Sequence, residues 1–461
     1  MGELLNLPAL PLSLFQAGGG GELSQILIRL LIQISVILFA AKIAGELATR
    51  FLKIPSVLAE LGVGVAIGPF ALGGLALFGF GPLFPIPLVD GKEATIPVSN
   101  ELYSLAQLGS IVLLFAIGLE TNLRQFVRYA GPATAVALGG VVFPFALGVT
   151  ATVVFGFAGP DGWASPQALF MGAIMTATSV GITARVLADL HRLDDPEGVT
   201  IIAAAVVDDV LGILVLTVVV GISTTDTFTL GTLGWVSFKA IGFWLGLTAV
   251  GILVAPLFEK VLERFSSTSA LMCIPLALAL LAAGLSEVFG LAFIIGAFSI
   301  GLALSTTRLG HLVEAAMLGI VDFLVPVFFV VMGMLVNVGA MVSSPAVIYF
   351  GLIISVLAIV SKVFGSGGPA LASGFNMRGS ARIGVGMMPR GEVALIIAGI
   401  GLSHGIIGQD LFGVSIMMTV LTTLIAPVIL VPLFRSGGSG VRKLANEESE
   451  QDGAIAEAVE D

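Results

Sequence analysis

Residues 201–214 read Ile201-Ile202-Ala203-Ala204-Ala205-Val206-Val207-Asp208-Asp209-Val210-Leu211-Gly212-Ile213-Leu214. Two adjacent carboxylates therefore lie in the middle of an apolar segment, Gly198 to Val220, that is long enough to cross a bilayer as a helix. A carboxylate at that depth costs roughly 2.5 to 3.5 kcal/mol on insertion scales, so two in succession need partners or water. A buried structural pair is one reading, but the position favours ion handling.

The composition of the chain is that of a multispanning membrane protein. Hydrophobic residues make up 57% of it and charged residues only 11%, whereas soluble domains carry about 25% charged residues; the mean hydropathy is +1.09. The 59 glycines are typical of closely packed and of broken membrane helices. One cysteine and three scattered histidines argue against a zinc or haem centre, and we expect no cofactor.

Thirteen hydrophobic runs bounded by Gly, Pro or charge are candidate transmembrane helices. Six lie between Gln25 and Val220, a seventh covers Leu233 to Leu257, and six lie between Ala270 and Leu433. One set of alternate loops carries fourteen Lys and Arg residues, whereas the other carries only Lys92. The positive-inside rule therefore predicts an outer N-terminus and a cytoplasmic C-terminus, which requires an odd number of spans.

Six spans, a linking span and six more form the layout of two inverted-topology repeats. The fifth span (Gln167 to Leu190) and the twelfth (Ile383 to Leu402) are then equivalent, and both contain residues that weaken a helix. Thr and Ser cluster around Thr178 and Ser179 in the fifth, and Gly and Pro precede Arg390 in the twelfth. We predict an all-α polytopic fold with helix interruptions at equivalent depth in the two repeats.

The two ends of the chain carry no sign of a further folded domain. Residues 435–461 are Gly/Ser-rich and then acidic, which predicts a disordered cytoplasmic tail. No nucleotide-binding glycine fingerprint is present, and we expect no nucleotide-binding regulatory domain and no nucleic-acid partner. Residues 1–21 lack the positive region of a cleaved signal peptide, so we expect none.

The adjacent acids cannot point in one direction, because neighbouring helical residues diverge by about 100°. One division is that Asp209 faces an ion cavity while Asp208 faces a neighbouring helix and a cation. A hard monovalent cation prefers oxygen ligands, which Asp209, Asp208 and the hydroxyls or freed carbonyls of Thr178 and Ser179 can supply. The same carboxylates also bind protons. Competition between a proton and a metal ion for one acid is the minimum machinery of an exchanger.

Three further charges accompany this pair. Lys362 is the candidate charge partner of the acids, because it can release its proton when its acid partner is taken by a metal ion; snorkelling to the surface is the alternative. Arg390 and Glu392 either neutralise the ends of half-helices or pair with each other. Thr178 and Ser179 can equally be ordinary helix-packing residues.

Seven short motifs follow one another from the second span to the twelfth. They are Pro55–Leu61 with Gly68-Pro69, Gly118–Leu123, Thr176–Thr183, Val207–Gly212, Gly296–Phe298, Pro326–Phe329 with Gly333-Met334, and Pro389–Glu392. In their order and number they resemble the cation:proton antiporter-2 family, which includes the NapA-type sodium/proton antiporters and the Kef potassium efflux systems. The paired acids with a lysine resemble the electrogenic NapA-type members, whereas Kef-type proteins tend to carry Gln in place of the first acid.

The resemblance implies a NapA/NhaA-like fold of about thirteen helices in residues 1–434, with the fifth and twelfth spans crossing as broken helices. It implies a homodimer in the cell membrane, in which a core domain moves as an elevator against a dimerisation domain. The expected core covers approximately residues 102–220 and 315–434, and the expected scaffold 25–80 and 233–305. It also implies roles: Asp209 as cation ligand and proton carrier, and Asp208 as the partner of Lys362.

The sequence therefore predicts a secondary transporter, not an enzyme, that exchanges Na⁺ or Li⁺ for protons; the alternative is K⁺/H⁺ exchange of the Kef type. Ions and membrane lipids are the expected partners. An intramembrane aspartyl protease would require two acids on separate helices, and no Gly-x-Gly-Asp sequence is present. A channel would conduct without regard to the proton gradient.

Overall fold

The computed structural model describes residues 22–52, 54–76, 81–89, 92–94, 96–224, 230–262, 268–308 and 310–442. Within these ranges eleven helices are long and apolar enough to cross a membrane, and two apolar helices are shorter. Strand structure there is confined to a short antiparallel pair, β1 (Leu88–Val89) with β2 (Lys92–Glu93), and one bridge between Phe375 and Val441. The helical membrane fold is confirmed for the described residues.

The described residues form sixteen α-helices, and the candidate spans number eleven where the sequence predicts thirteen. The first eight are α1 (Glu22–Leu47), α2 (Ser56–Ile67), α3 (Asn100–Glu120), α4 (Leu123–Val154), α5 (Pro166–Thr176), α6 (Val180–Asp189), α7 (Pro196–Thr224) and α8 (Leu230–Leu262). The others are α9 (Thr268–Val288), α10 (Phe293–Leu304), α11 (Gly310–Met334), α12 (Val338–Met341), α13 (Pro345–Ala372), α14 (Met377–Gly386), α15 (Glu392–Ser403) and α16 (Gln409–Arg435). A π-helical turn (Ala48–Leu52) continues α1, and 3₁₀ turns cover Leu72–Gly74 and Gly162–Ala164.

Side-chain caps determine where several of these helices begin. An oxygen of Ser or Asn just before the first turn accepts a hydrogen bond from a backbone N–H of that turn, which satisfies a donor that the helix itself leaves free. The capping residues are Ser99 for α3, Asn122 for α4, Ser165 for α5, Ser344 for α13 and Asn376 for α14.

The helices pack as two bundles. The α3 bundle consists of α1 to α3 and α9 to α11, in which α3 lies along both α10 and α11, and α11 also lies along α2. The α13 bundle consists of α4 to α7 and α12 to α16, in which α4 lies along α5, α7 and α13. Helix α6 also touches α2 and α3, so the boundary between the bundles passes beside it. Helix α8 contacts α9 and α10 of one bundle and α7 of the other.

Glycine allows the backbones within each bundle to approach closely. A Cβ atom placed on Gly64 of α2 would lie 2.8 Å from the Cα of Gly333 in α11. In the other bundle, a Cβ on Gly139 of α4 would lie 2.1 Å from the carbonyl oxygen of Gly365 in α13. Small residues drive such close contacts between membrane helices, and each bundle is therefore tightly packed internally.

Helices α3 and α11, which the resemblance places in the core, pack in the α3 bundle. A Cβ on Gly118 of α3 would lie 3.0 Å from the Cα of Gly301 in α10, and one on Gly109 would lie 2.5 Å from the carbonyl oxygen of Leu324 in α11. Glycines on α3 therefore allow close packing against both α10 and α11.

The chain after α16 also differs from the prediction of a disordered tail from residue 435. Residues 436–442 pack against the start of α14, where the backbone N–H of Asn376 donates to the carbonyl of Gly440 at 2.8 Å and that of Arg442 to Gly374 at 2.9 Å. The cause is a set of side-chain hydrogen bonds that Asn376, just before α14, and Arg382, in α14, donate to carbonyl groups of this segment. Residues 1–21 and 443–461, to which the signal-peptide prediction and the rest of the tail prediction refer, lie outside the described residues.

Candidate functional site

Two interrupted helices meet inside the α13 bundle. Residues 177–179 separate α5 from α6, and residues 387–391 separate α14 from α15. The backbone N–H of Ser179 donates to the carbonyl of Pro389 at 2.8 Å, and the Thr183 hydroxyl donates to the carbonyl of Gly386 at 2.6 Å. Each break thus satisfies backbone groups of the other, as non-helical backbone at membrane depth requires.

The sequence of each break fits this arrangement. Pro389 carries no N–H, so it removes a helical hydrogen bond at the point where the chain must leave the helix. A Cβ on Gly391 would lie 2.5 Å from the hydroxyl oxygen of Ser179, so only glycine leaves space for that side chain. The hydroxyl of Thr178 reaches the carbonyl of Met387 at the longer distance of 3.4 Å.

The half-helix ends carry compensating charges. Arg390 is fully buried, and its Nη1 donates to the carbonyl of Met388 at 2.8 Å and of Met387 at 3.4 Å, just beyond the C-terminal end of α14. Glu392 is in the first turn of α15. A cation near a helix C-terminus and an anion near an N-terminus are both favourable. No salt bridge joins Arg390 to Glu392, so of the two predicted arrangements the structure contains charges at half-helix ends.

Asp208 and Lys362 form a buried ion pair between α7 and α13. The Lys362 Nζ donates to Asp208 Oδ1 at 2.9 Å, and the side chains are 0% and 2% exposed. Lys362 therefore does not snorkel to the surface. A Cβ on Gly140 of α4 would lie 3.3 Å from the Lys362 Nζ and 2.5 Å from the Ser366 hydroxyl oxygen. The absence of a side chain at Gly140 makes room for the lysine.

Asp209 stands apart from that pair although it is the next residue. Its side chain is half-buried, and its Oδ2 is shielded from solvent without a hydrogen-bond partner among the described residues. Asp208, Glu392 and Lys362 are its electrostatic neighbours. A buried carboxylate oxygen without a donor is costly unless it binds a cation or a proton.

The predicted site residues fall into three parts. Asp208 and Lys362 form the ion pair, Asp209 has the free oxygen, and Ser179, Arg390 and Glu392 line one cavity of about 270 Å³ between the bundles. This cavity is not lined by Asp208, Asp209, Lys362 or Thr178. The residues that line this cavity come from α2 and α11 on one side and from α6, α15 and α16 on the other. In the described part of the chain, no three His, Cys, Asp or Glu side chains converge as they would around a resident metal ion.

Sequence reasoning missed several residues of the site. Thr183 makes the shorter hydroxyl contact at the crossing, although the prediction names only Thr178 and Ser179. Thr423 of α16 donates its hydroxyl to the carbonyl of Arg390, and Gly140 gives Lys362 its space. Thr183 was detectable as a third hydroxyl in the break, but nothing in a chain with 59 glycines distinguishes Gly140.

Comparison with known proteins gives one consistent result. A family described as "Sodium/hydrogen exchanger, transmembrane" matches residues 34–436. The chain is 36% identical over 438 residues to the high-affinity Na⁺/H⁺ antiporter NhaS3 of a Synechocystis strain, covering 91% of this chain and 92% of that protein. It is 36% identical over 405 residues to the Na⁺/H⁺-K⁺ antiporter GerN of Bacillus cereus, covering 86% and 94%.

Among solved structures, the chain is similar to that of the sodium proton antiporter MjNhaP1 from Methanocaldococcus jannaschii. The TM-score is 0.61 at 18% sequence identity, and the match covers 88% of this chain and 98% of that one. At this level of identity the likeness concerns the fold alone.

Proposed function

The chain belongs to the sodium/hydrogen exchanger family, and from this membership we propose that it is a secondary active antiporter that exports Na⁺, or Li⁺, in exchange for protons. The observation that carries the proposal is the unpartnered Oδ2 of Asp209 beside a compensated Asp208–Lys362 pair. Asp209 is the cation ligand and proton carrier: its carboxylate holds either Na⁺ or H⁺ but not both, so one ion must leave before the other binds.

The Asp208–Lys362 pair allows the exchange to be electrogenic. When Na⁺ also draws on Asp208 as a ligand, Lys362 loses its counter-ion and releases its proton. Two protons per cation then move one net charge per cycle, which couples transport to the membrane potential by about 2.3 kcal/mol per 100 mV. The burial of both side chains supports this role, because apolar surroundings make the lysine charge depend on its partner.

The point where the two interrupted helices cross supplies the other charges and oxygen atoms near the ion. Arg390 and Glu392 compensate the half-helix ends, so the crossing presents no uncompensated dipole to an entering cation. The oxygens of Thr178 and Ser179 lie at the same crossing. We propose them as secondary oxygen donors around the ion that Asp209 holds.

Alternating access follows from the two bundles. We propose that the α13 bundle carries the ion and moves as an elevator against the α3 bundle, which forms the homodimer. Close glycine contacts lie within each bundle, whereas the boundary between them contains a cavity beside the contacts of α6 with α2 and α3. Thirteen membrane passes in two inverted repeats, an outer N-terminus and a cytoplasmic C-terminus in the cell membrane complete the proposal.

Sodium is the better supported cation. NhaS3 is named a Na⁺/H⁺ antiporter, and GerN is named for both Na⁺ and K⁺; neither name supports an exchanger of K⁺ alone. A protease reading finds no support, because the family consists of transporters and the two acids are adjacent on one helix. A channel remains distinguishable by experiment, since its flux ignores the proton gradient.

The test is exchange in proteoliposomes with an internal pH dye, with Na⁺, Li⁺ and K⁺ added in turn to the outside. We expect Na⁺ and Li⁺ to move protons in the opposite direction, and an Asp209→Asn variant to lose this signal. Unaltered exchange in Asp209→Asn, or cation flux without a pH change, would overturn the assignment. An Asp410→Asn variant, which changes an exposed acid at the start of α16, is the control and should exchange normally.

A further inference from the structure

A second buried ion pair joins α14 to the start of α7, the helix that also carries Asp208, and takes no part in the ion chemistry above. Arg382 of α14 is 2% exposed, and its Nη1 lies 2.6 Å from Oε1 of Glu197, a buried residue in the first turn of α7. A buried pair of this kind contributes little net stability, because desolvation of both charges offsets their attraction. Its presence therefore calls for a reason other than stability.

The pair joins the two helices on which the proposed site depends. Glu197 precedes Asp208 by eleven residues on α7, or about 16 Å at the helical rise. Arg382 precedes Gly386 by one helical turn on α14, and the carbonyl of Gly386 accepts the hydrogen bond from Thr183 at the crossing. A shift of α14 along α7 would therefore change the distance between the crossing and the paired acids.

All three nitrogen atoms of the Arg382 guanidinium donate hydrogen bonds. Its Nε donates to the carbonyl of Leu433 at 3.0 Å, its Nη1 also to that of Gly438 at 3.0 Å, and its Nη2 to that of Gly437 at 2.7 Å. The guanidinium carbon lies 5.0 Å from the ring centre of Phe434. One arginine thus binds α14 to α7, to the end of α16 and to the segment that follows it.

The segment after α16 is closely fitted around this pair. The side chain of Asn376 donates to the carbonyl of Ser439 at 2.8 Å, and Val441 forms a backbone bridge with Phe375. A Cβ on Gly440 would lie 2.0 Å from Oε1 of Glu197, so this position has no room for a side chain. Residues 437–441 therefore cover the carboxylate and the guanidinium together.

We propose that Glu197, Arg382 and residues 437–441 form a C-terminal clamp that positions the inner half of the broken helix, α14, against α7 and so sets the geometry of the cation site. Arg382 and Glu197 are positioning residues, which touch no transported ion. The inference rests on the proposed function, and it adds that the chain just after α16 is part of the transport machinery.

Three substitutions in the full-length protein test the clamp. Arg382→Lys keeps the positive charge but loses the several N–H donors of the guanidinium. Glu197→Gln keeps the shape of the side chain but loses the negative charge. Gly440→Ala displaces residues 437–441 without changing the charge of Glu197 or Arg382. We expect each to raise the Na⁺ concentration for half-maximal exchange about ten-fold, as loss of supporting contacts around a metal ligand does. The control is Gly368→Ala, in exposed space on α13, which should leave exchange unchanged.

Two readouts keep the outcome interpretable. Exchange is measured per reconstituted folded protein across a range of Na⁺ and pH, and Na⁺-dependent melting of the purified protein reports ion binding without transport. Unchanged half-saturation and unchanged Na⁺-dependent melting in all three variants would overturn the clamp, because a merely structural pair affects only the yield of folded protein. If wild-type protein exchanged no Na⁺ for protons, the proposed function would fail instead, and the melting data would still report on the clamp.

Discussion

The Lys362 Nζ lies 2.9 Å from Oδ1 of Asp208 within a buried region where α7 and α13 meet. The two residues are 154 positions apart in sequence, and each compensates a charge that apolar surroundings would otherwise disfavour. The pair fixes one aspartate, whereas Oδ2 of its neighbour, Asp209, has no hydrogen-bond partner among the described residues.

Removing one member of the pair should destabilise the fold more than removing both. We expect Lys362→Gln to lower the free energy of unfolding by about 3 to 5 kcal/mol, because a buried charge loses its partner. The double variant Lys362→Gln with Asp208→Asn should recover most of this loss, as measured by unfolding in detergent micelles. Lys260→Gln, at an exposed lysine in the last turn of α8, is the control. A double variant no more stable than the single one would contradict the pairing argument.

A methyl group at Gly140 should displace the Lys362 side chain without removing the charge of Lys362 or of Asp208. The new Cβ would lie 3.3 Å from the Lys362 Nζ and 2.5 Å from Ser366 Oγ, so Gly140→Ala should displace both and slow exchange several-fold. The matched control is Gly131→Ala on the same helix, where a Cβ meets nothing within 4 Å. Initial rates of exchange in proteoliposomes give the comparison, and equal rates in the two variants would rule out a tight fit at Gly140.

The hydroxyl of Thr183 should matter more than its methyl group. Thr183→Val leaves the buried carbonyl of Gly386 without its donor, which costs about 1 to 3 kcal/mol, whereas Thr183→Ser keeps the 2.6 Å hydrogen bond. We expect the valine variant to melt at a lower temperature and to exchange slowly, and the serine variant to resemble wild type. Valine and serine variants of equal stability would show that the crossing does not depend on this bond.

Sodium should stabilise the folded protein, and more so at higher pH. A ligand at about 100 times its dissociation constant adds about 2.7 kcal/mol to the free energy of unfolding. Since protons compete for the Asp209 carboxylate, the shift in melting temperature at fixed Na⁺ should grow as pH rises and should vanish in Asp209→Asn. Choline at equal ionic strength is the control. A shift that is independent of pH would mean that Na⁺ and H⁺ occupy different groups.

Cross-linking the bundles should stop transport. A Cβ on Gly181 of α6 would lie 3.8 Å from the side chain of Leu113 in α3. Cysteines at these two positions, in a protein whose native cysteine is removed by Cys273→Ser, would therefore allow a cross-link between the two bundles. The control pair, Phe155 with Tyr349, has ring centres 6.5 Å apart within the α13 bundle. We expect a bifunctional thiol reagent to block exchange only in the first pair. Continued exchange after complete cross-linking would exclude an elevator.

Much of the site follows from residue chemistry alone. Charges inside apolar spans must be compensated, so Asp208, Asp209 and Lys362 stand out in a chain with 11% charged residues. Helix-weakening residues around Thr178 and Pro389 predict the two interruptions, and membership of an antiporter family is confirmed by the match over residues 34–436.

Other features depend on three-dimensional contacts that a single sequence does not encode locally. The close packing of α3 against α11 depends on glycines such as Gly109, which meets Leu324 and which the sequence does not distinguish from other glycines. Residues 436–442 have the composition of a flexible tail, yet they are ordered because Arg382 and Asn376 bind their carbonyl groups. The disorder that the composition of this segment predicts is overridden by two side chains, Arg382 and Asn376, about sixty positions earlier in the chain.

The length of helix α8 relates the protein to the thickness of its membrane. Its 33 residues extend for about 50 Å, and it is attached to both bundles while side chains such as Trp235 and Phe238 remain largely uncovered. A helix longer than the bilayer is thick is accommodated by tilting, by kinking or by local thickening of the bilayer, and the proposed movement of one bundle against the other would change that accommodation. Acyl-chain length in the host membrane should therefore tune the turnover rate, so that lipid thickness becomes a regulator that never contacts an ion.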